Sequence, residues 1–178
     1  STEDARKAGV ARIPKLAKVY RSKKDQRLIL PIEGKGLWST LYGFLAVNQD
    51  LNTVEGIIFY AHAETPGLGG EIENPRWTGL WPGKKLFGEK GKPAIAVIKG
   101  QAPAGDPHKI DGLSGATITG RGVSNLVRFW MGDKFLNHIP LFVGNVLLNG
   151  LPFVEKTNGI LLFLSPMSKL KSVAYLIA

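Results

Sequence analysis

Asp111-Gly112-Leu113-Ser114-Gly115-Ala116-Thr117 sets two hydroxyl side chains around a glycine and an alanine, just ahead of a stretch with helical periodicity. Small residues let backbone N–H groups and Oγ atoms approach an anion without obstruction. From Thr119 to Met131, Val123, Leu126, Val127 and Trp130 fall at i, i+3, i+4 and i+7, which predicts a helix with its positive end toward the hydroxyls. A phosphate, or a negative group attached at Thr117, suits that field. Other chemistries fit the spacing poorly. A nucleophile elbow requires Gly-x-Ser-x-Gly, but Gly112-Leu113-Ser114-Gly115-Ala116 ends in Ala and no histidine is placed as base. Gly83-Lys84-Lys85 lacks the upstream spacing and the hydroxyl of a phosphate-binding P-loop, and no dinucleotide fingerprint is present. An anion site, a covalent modification site and an ordinary helix-capping loop remain open. A second loop, Glu64-Thr65-Pro66-Gly67-Leu68-Gly69-Gly70-Glu71, is also glycine-dense and carries two carboxylates, which is more than a connection requires.

The elements that must position these loops read as strands first and helices late. Leu16–Tyr20 with Leu28–Ile32, and Leu41–Val47 with Val54–Tyr60, are apolar runs paired across polar turns, which predicts two hairpins. Asn74-Pro75 is an N-cap followed by proline at the first helical position, opening a short helix to about Leu80. Trp77 and Trp81, four apart, share a face and read as core. Ala94–Lys99 is a further strand candidate. The expected fold class is α+β, with a mostly antiparallel sheet and a few helices.

Composition narrows the functional classes. The formal charge is +9, but residues 1–24 hold +6 and residues 134–178 hold +3, leaving 25–133 neutral. A basic arm on a neutral body argues against a nucleic-acid groove. Without cysteine, thiol catalysis, disulfides and iron–sulfur clusters are excluded, and His62, His108 and His138 have no metal-ligand spacing. Residues 1–15 read as a basic, weakly ordered or packing-dependent lead-in, 16–133 as the domain and 134–178 as an extension of unknown role. Phe135–Val154 has the length of a membrane span, but its prolines, glycines and asparagines favour strands or loops packed on the domain.

Gly36-Leu37-Trp38-Ser39, Glu64 to Glu71, Gly83-Lys84-Lys85-Leu86-Phe87, Lys92-Pro93-Ala94-Ile95 and Asp111 to Thr117 together carry a resemblance. From about Ile13 to Asp133 the chain resembles the C-subunit family of the Na+-translocating NADH:quinone oxidoreductases. The resemblance implies FMN esterified through its phosphate to Thr117 by a flavin transferase, within the signature Asp-x-x-Ser/Thr-Gly-Ala-Thr/Ser. It implies an electron relay among other subunits of a membrane redox complex, with NADH, Na+ and quinone sites elsewhere, in a bacterial inner membrane with this domain on the periplasmic side. The implied cofactor site takes in Trp38, Glu64, Thr65, Gly67, Leu68, Gly69, Lys109, Asp111, Ser114, Gly115, Ala116 and Arg121. Lys109, Arg121 and the helix end would offset the phosphodiester charge. Trp38 and Leu68 would flank the ring, and Thr65, Gly67 and Gly69 would meet its polar edge. Trp38 as a core aromatic, Glu64 as a loop fixer and Asp111 as an orienter of the turn stay open beside those roles. Family members begin with a membrane helix, so the chain reads as a soluble portion of a longer protein. The G subunit of the RNF ion-pumping complex and a non-redox anion-binding or scaffold module are the alternatives.

Overall fold

A computed structural model describes residues 2–10, 16–22, 25–132, 153–157 and 160–166. The elements run α1 (Thr2–Ala8), β1 (Leu16–Arg21), β2 (Leu28–Lys35), β3 (Thr40–Val47), β4 (Val54–Ala61), a 3-10 turn (Gly69–Glu73), α2 (Pro75–Thr78), β5 (Ala96–Val97), β6 (Lys109–Ile110), α3 (Thr117–Trp130), β7 (Phe153–Thr157) and β8 (Ile160–Pro166). Strand order in the large sheet is β4-β3-β2-β1-β8-β7, antiparallel except where β1 lies parallel to β8. The α+β class with a mostly antiparallel sheet is therefore borne out, and both hairpins form, with Tyr20 opposite Ile29 and Leu45 opposite Ile57.

Alternation in the strands decides which face meets the helix. Leu28, Leu30 and Ile32 of β2 and Leu41, Leu45 and Val47 of β3 join one core with Val123, Leu126, Val127 and Trp130 of α3. The four helical positions expected from spacing thus all pack into this core. Two polar ties fix the angle of α3: Trp130 Nε1 donates to Glu33 O at 2.8 Å, and Arg128 Nε to Ile95 O at 2.8 Å. Gly122 permits the close approach, because a Cβ there would lie 2.3 Å from the Lys35 carbonyl oxygen.

Smaller elements finish the frame. Asn74 caps α2 by accepting from Arg76 N, as its position before Pro75 predicts. Trp77 and Trp81 meet edge to face at 5.7 Å and are both buried, so they are core. The strand expected over Ala94–Lys99 shrinks to Ala96–Val97, which pairs in parallel with Lys109–Ile110 immediately before the hydroxyl cluster. Backbone bonds between the two segments continue past the paired residues, from Ile98 N to Ile110 O at 3.0 Å and from Gly112 N to Gly100 O at 2.7 Å. The segment read as a lead-in carries α1, whose Ala5 and Ala8 are buried, and Asn125 Nδ2 of α3 donates to Lys7 O at 3.2 Å. Residues 11–15 lie outside the described residues, as do Ser172–Ile177 and all of Phe135–Val154 but its last two. Within the extension, β7 and β8 form a hairpin on the sheet. No helix among the described residues is long and apolar enough to cross a membrane.

Candidate functional site

Three segments converge at one end of the sheet: the turn after β2, the loop after β4 and the turn before α3. The last begins as β6 ends. Asp111 is held at both ends, its carbonyl accepting from Trp77 Nε1 at 2.9 Å and its Oδ1 from Ala102 N at 2.8 Å. Gly115 has φ +69, a conformation that disfavours a side chain, and Ala116 N donates back to Leu113 O at 3.1 Å. The helix opens at Thr117, two residues ahead of the expected Thr119, because apolar periodicity marks only where a helix packs and not where its backbone starts.

That shift matters chemically. Helical bonding begins with Gly120 N, which donates to Ala116 O at 3.1 Å, so the amides of the exposed Thr117 and Ile118 have no acceptor among the described residues and are left for an external one. Ala116 at the N-cap offers no side chain to take them. A 14-residue helix thus points its positive end, uncapped, at a turn where Ser114, Gly115 and Thr117 are exposed. Thr119 is different: it is fully buried.

The Thr119 hydroxyl donates to Glu64 Oε2 at 2.6 Å. The same carboxylate accepts Leu37 N at 3.1 Å, Trp38 N at 2.9 Å and Ser39 N at 3.1 Å. Glu64, 5% exposed, therefore joins the turn after β2 to the first turn of α3. Burial pushes its pKa up, but the Thr119 hydroxyl and the amides of Trp38, Leu37 and Ser39 outweigh it and hold the carboxyl below its usual range. Two glycines make room: a Cβ at Gly36 would lie 2.6 Å from Glu64 Oε1, and one at Gly69 would lie 2.7 Å from Thr119 Oγ1. Neighbouring bonds stiffen the loop. Glu64 N donates to His62 Nδ1 at 3.1 Å, and Ala63 N donates to Ser39 Oγ at 2.7 Å.

A family model for the FMN-binding domain matches residues 36–132, which contain all three converging segments. The chain belongs to the FMN-binding domain family. Within it, the chain is 52% identical over 131 residues to the C subunit of the Na(+)-translocating NADH-quinone reductase of Yersinia pestis, covering 71% of this chain and 49% of that protein. To the C subunit of the Pseudomonas aeruginosa reductase it is 49% identical over 142 residues, covering 74% and 54%. Among solved structures, Shewanella oneidensis NqrC superposes with a TM-score of 0.61 at 45% identity, over 65% of this chain and 55% of that one. The C subunit of the Parabacteroides distasonis reductase superposes with a TM-score of 0.58 at 34% identity, over 66% and 60%. The likeness to C subunits read from the motifs is thereby borne out. The chain spans about half the length of the curated relatives it matches.

On this FMN-binding domain the surface beside the hydroxyl turn is apolar. Leu37, Trp38, Leu68 and Ile118 are exposed, Trp38 most of all at 66%. Trp38 is thus not a core aromatic. It stands out from a turn whose amides Glu64 holds. Leu68 lies against the hydroxyl turn, since a Cβ at Gly115 would come 2.8 Å from Leu68 Cδ2. Thr65 accepts Leu68 N and Gly70 N through its carbonyl, at 3.1 and 2.9 Å, and Gly67 at the tip is exposed.

Contacts therefore unite Trp38, Glu64, Leu68, Gly69 and Gly115, with Ala116 and Thr117 continuing the chain. Lys109 and Arg121 stand at the two borders of the turn, in β6 and one helical turn beyond Thr117. Among the described residues no side-chain hydrogen bond or ion pair carries either of them into the turn. Thr119, Ser39, His62 and Gly36 were not marked as site residues by the sequence. A hydroxyl two residues after Thr117, turned about 200° around the helix from it, was the available signal for Thr119.

Proposed function

We propose that this chain is the flavin-carrying part of a C subunit of a Na+-translocating NADH:quinone reductase, with FMN joined by a phosphoester to Thr117. The observation that carries the reading is the contrast among hydroxyls at the start of α3. Thr117 is exposed at a helix start where its own amide and that of Ile118 have no acceptor among the described residues, whereas Thr119 is buried and already donates to Glu64. The chemistry is a substitution at phosphorus: Thr117 Oγ gives up its proton and bonds to the flavin phosphate's phosphorus while the P–O bond to the leaving group carried by the flavin donor breaks, so the protein gains the mass of FMN less one water.

The chain's own groups suit that load. The amides of Thr117 and Ile118 and the helix end receive the phosphodiester's remaining charge, with Lys109 and Arg121 adding positive field. Ser114 supplies a further hydroxyl, and Gly115 and Ala116 let the phosphate reach the backbone. Trp38 and Leu68 offer apolar flanks for a ring. Thr65 and Gly67 present polar atoms at its edge, and Gly69 clears space for the Glu64–Thr119 contact. Glu64 and Asp111 act as positioning residues. Bound flavin supplies one- and two-electron redox chemistry, and tethering removes the translational cost of keeping it at a shallow, exposed site. An open site suits a relay whose ring must approach partner subunits. Residues 16–133 are the flavin-carrying unit; NADH, Na+ and quinone are handled by other subunits. The complex lies in a bacterial inner membrane with this domain on the periplasmic side, held by an anchor or by its partners, and a flavin transferase matures it.

Intact-protein mass spectrometry under denaturing conditions, after co-expression with a flavin transferase, tests this directly. Wild type should gain FMN less one water, and Thr117→Ala should not. No gain in the wild type with an active transferase present means the hydroxyl turn is an anion-binding or purely structural device.

A further inference from the structure

Thr119 lies outside the attachment signature, is wholly buried, and spends its hydroxyl on a carboxylate 55 residues away in sequence. The two oxygens of that carboxylate also receive three successive amides of the turn that carries Trp38. Four donors on two oxygens form one rigid unit. Thr117 and Thr119 share the first turn of α3, so any change in the Thr119–Glu64 bond alters the distance from the attachment point to Trp38. Glycines at 36 and 69 leave no slack for a side chain in this contact.

We propose that Thr119 is a positioning residue, which through Glu64 sets the Leu37–Ser39 turn, and hence the exposed indole of Trp38, at a fixed distance from the Thr117 attachment point. The optical consequence rests on the flavin reading above. The mechanical consequence does not. An indole held within contact of an isoalloxazine quenches flavin emission, so loosening the turn lengthens the emission lifetime. Loss of one buried hydrogen bond also lets the turn open more often, by about tenfold for roughly 1.4 kcal/mol.

The experiment uses the full chain as wild type, Thr119→Val and Thr119→Ser. Hydrogen exchange at the amides of Leu37, Trp38 and Ser39 is followed first without flavin. Thr119→Val should exchange about tenfold faster there with β3 and β4 unchanged, and Thr119→Ser should match wild type. In flavin-loaded protein, with equal FMN mass in all three, only the Val variant should show a longer flavin lifetime, and Trp38→Phe should lengthen it in the wild-type background. Unchanged exchange at residues 37–39 in Thr119→Val overturns the latch. Faster exchange with an unchanged lifetime overturns the link to Trp38 and the flavin. Absence of FMN mass in the wild type defeats the cofactor reading by itself and leaves the exchange result to decide the latch. If Thr119→Val loses protection across the whole sheet, Glu64→Gln takes its place, and selective acceleration at 37–39 or its absence decides in the same way.

Discussion

Two carboxylates, at opposite ends of the long strands, make nearly the same set of bonds for different ends. Asp50 accepts Asn52 N at 2.9 Å, Thr53 N at 2.7 Å and the Thr53 hydroxyl, with Lys85 Nζ at 3.5 Å. Glu64 also accepts backbone amides and a threonine hydroxyl, but its donors come from 25 to 55 residues away. Asp50 closes its own hairpin turn and is 45% exposed, whereas Glu64 is buried where turn, loop and helix meet. The first arrangement is turn chemistry, complete once the local chain folds. The second exists only after the domain is assembled, and it lies beneath the exposed apolar side chains and the uncapped helix. Rigidity at this end is thus tertiary, which is what the cofactor surface proposed above requires.

The comparison can be broken most severely where backbones touch. Gly122→Ala puts a Cβ 2.3 Å from the Lys35 carbonyl and should cost about 3 kcal/mol or more, read as a lower denaturant midpoint. Glu64→Gln comes next. It replaces one acceptor oxygen with a donor facing amides or the Thr119 hydroxyl, and should cost about 2–3 kcal/mol by the same measurement. An equal loss for Asp50→Asn would abolish the distinction, since exposed donors there can turn to water; about 1 kcal/mol is expected.

Acid sharpens the contrast. Burial raises the Asp50 pKa, but bonds from Thr53 and Asn52 and the charge of Lys85 bring it from 3.8 down to about 2. A lowered folded-state value stabilises above the unfolded value, and that contribution fades as pH falls from near 4 toward 2. Glu64 has the same sign, complete above the ordinary carboxylate range and lost below it. Protonation of Glu64 must also break amide bonds of the Trp38 turn. Exchange at residues 37–39 should therefore accelerate in acid before that of the β3 and β4 amides, and simultaneous loss would mean the turn has no independent latch. Trp38→Ala should have the smallest effect on stability, within about 0.5 kcal/mol in thermal or denaturant melts, because the side chain is mostly in solvent.

What sequence could show follows the same division. Local signals were legible: the hairpin turns, Asn74 before Pro75, and the spacing of Val123, Leu126, Val127 and Trp130 all act within a few residues. The hydroxyl turn was legible too, because small residues cluster before a helix. The start of α3 was misread because Thr117 and Ile118 are exposed and carry no apolar period. The Glu64–Thr119 bond was invisible, since nothing local to residue 119 signals a carboxylate on a distant loop. Trp38 was ambiguous for the same reason: whether a tryptophan after a strand is core or exposed depends on how its turn is held, and Glu64 holds it.

In the reading proposed above, the exposed hydroxyl of Thr117, and neither Ser114 nor Thr119, carries the flavin. Trypsin cuts after Lys109 and Arg121, releasing a peptide with residues 110–121 that contains all three hydroxyls. Fragmentation of that peptide from protein matured with a flavin transferase should place the FMN phosphoester on Thr117. Its appearance on Ser114 or Thr119, or a peptide of unmodified mass, would contradict the account.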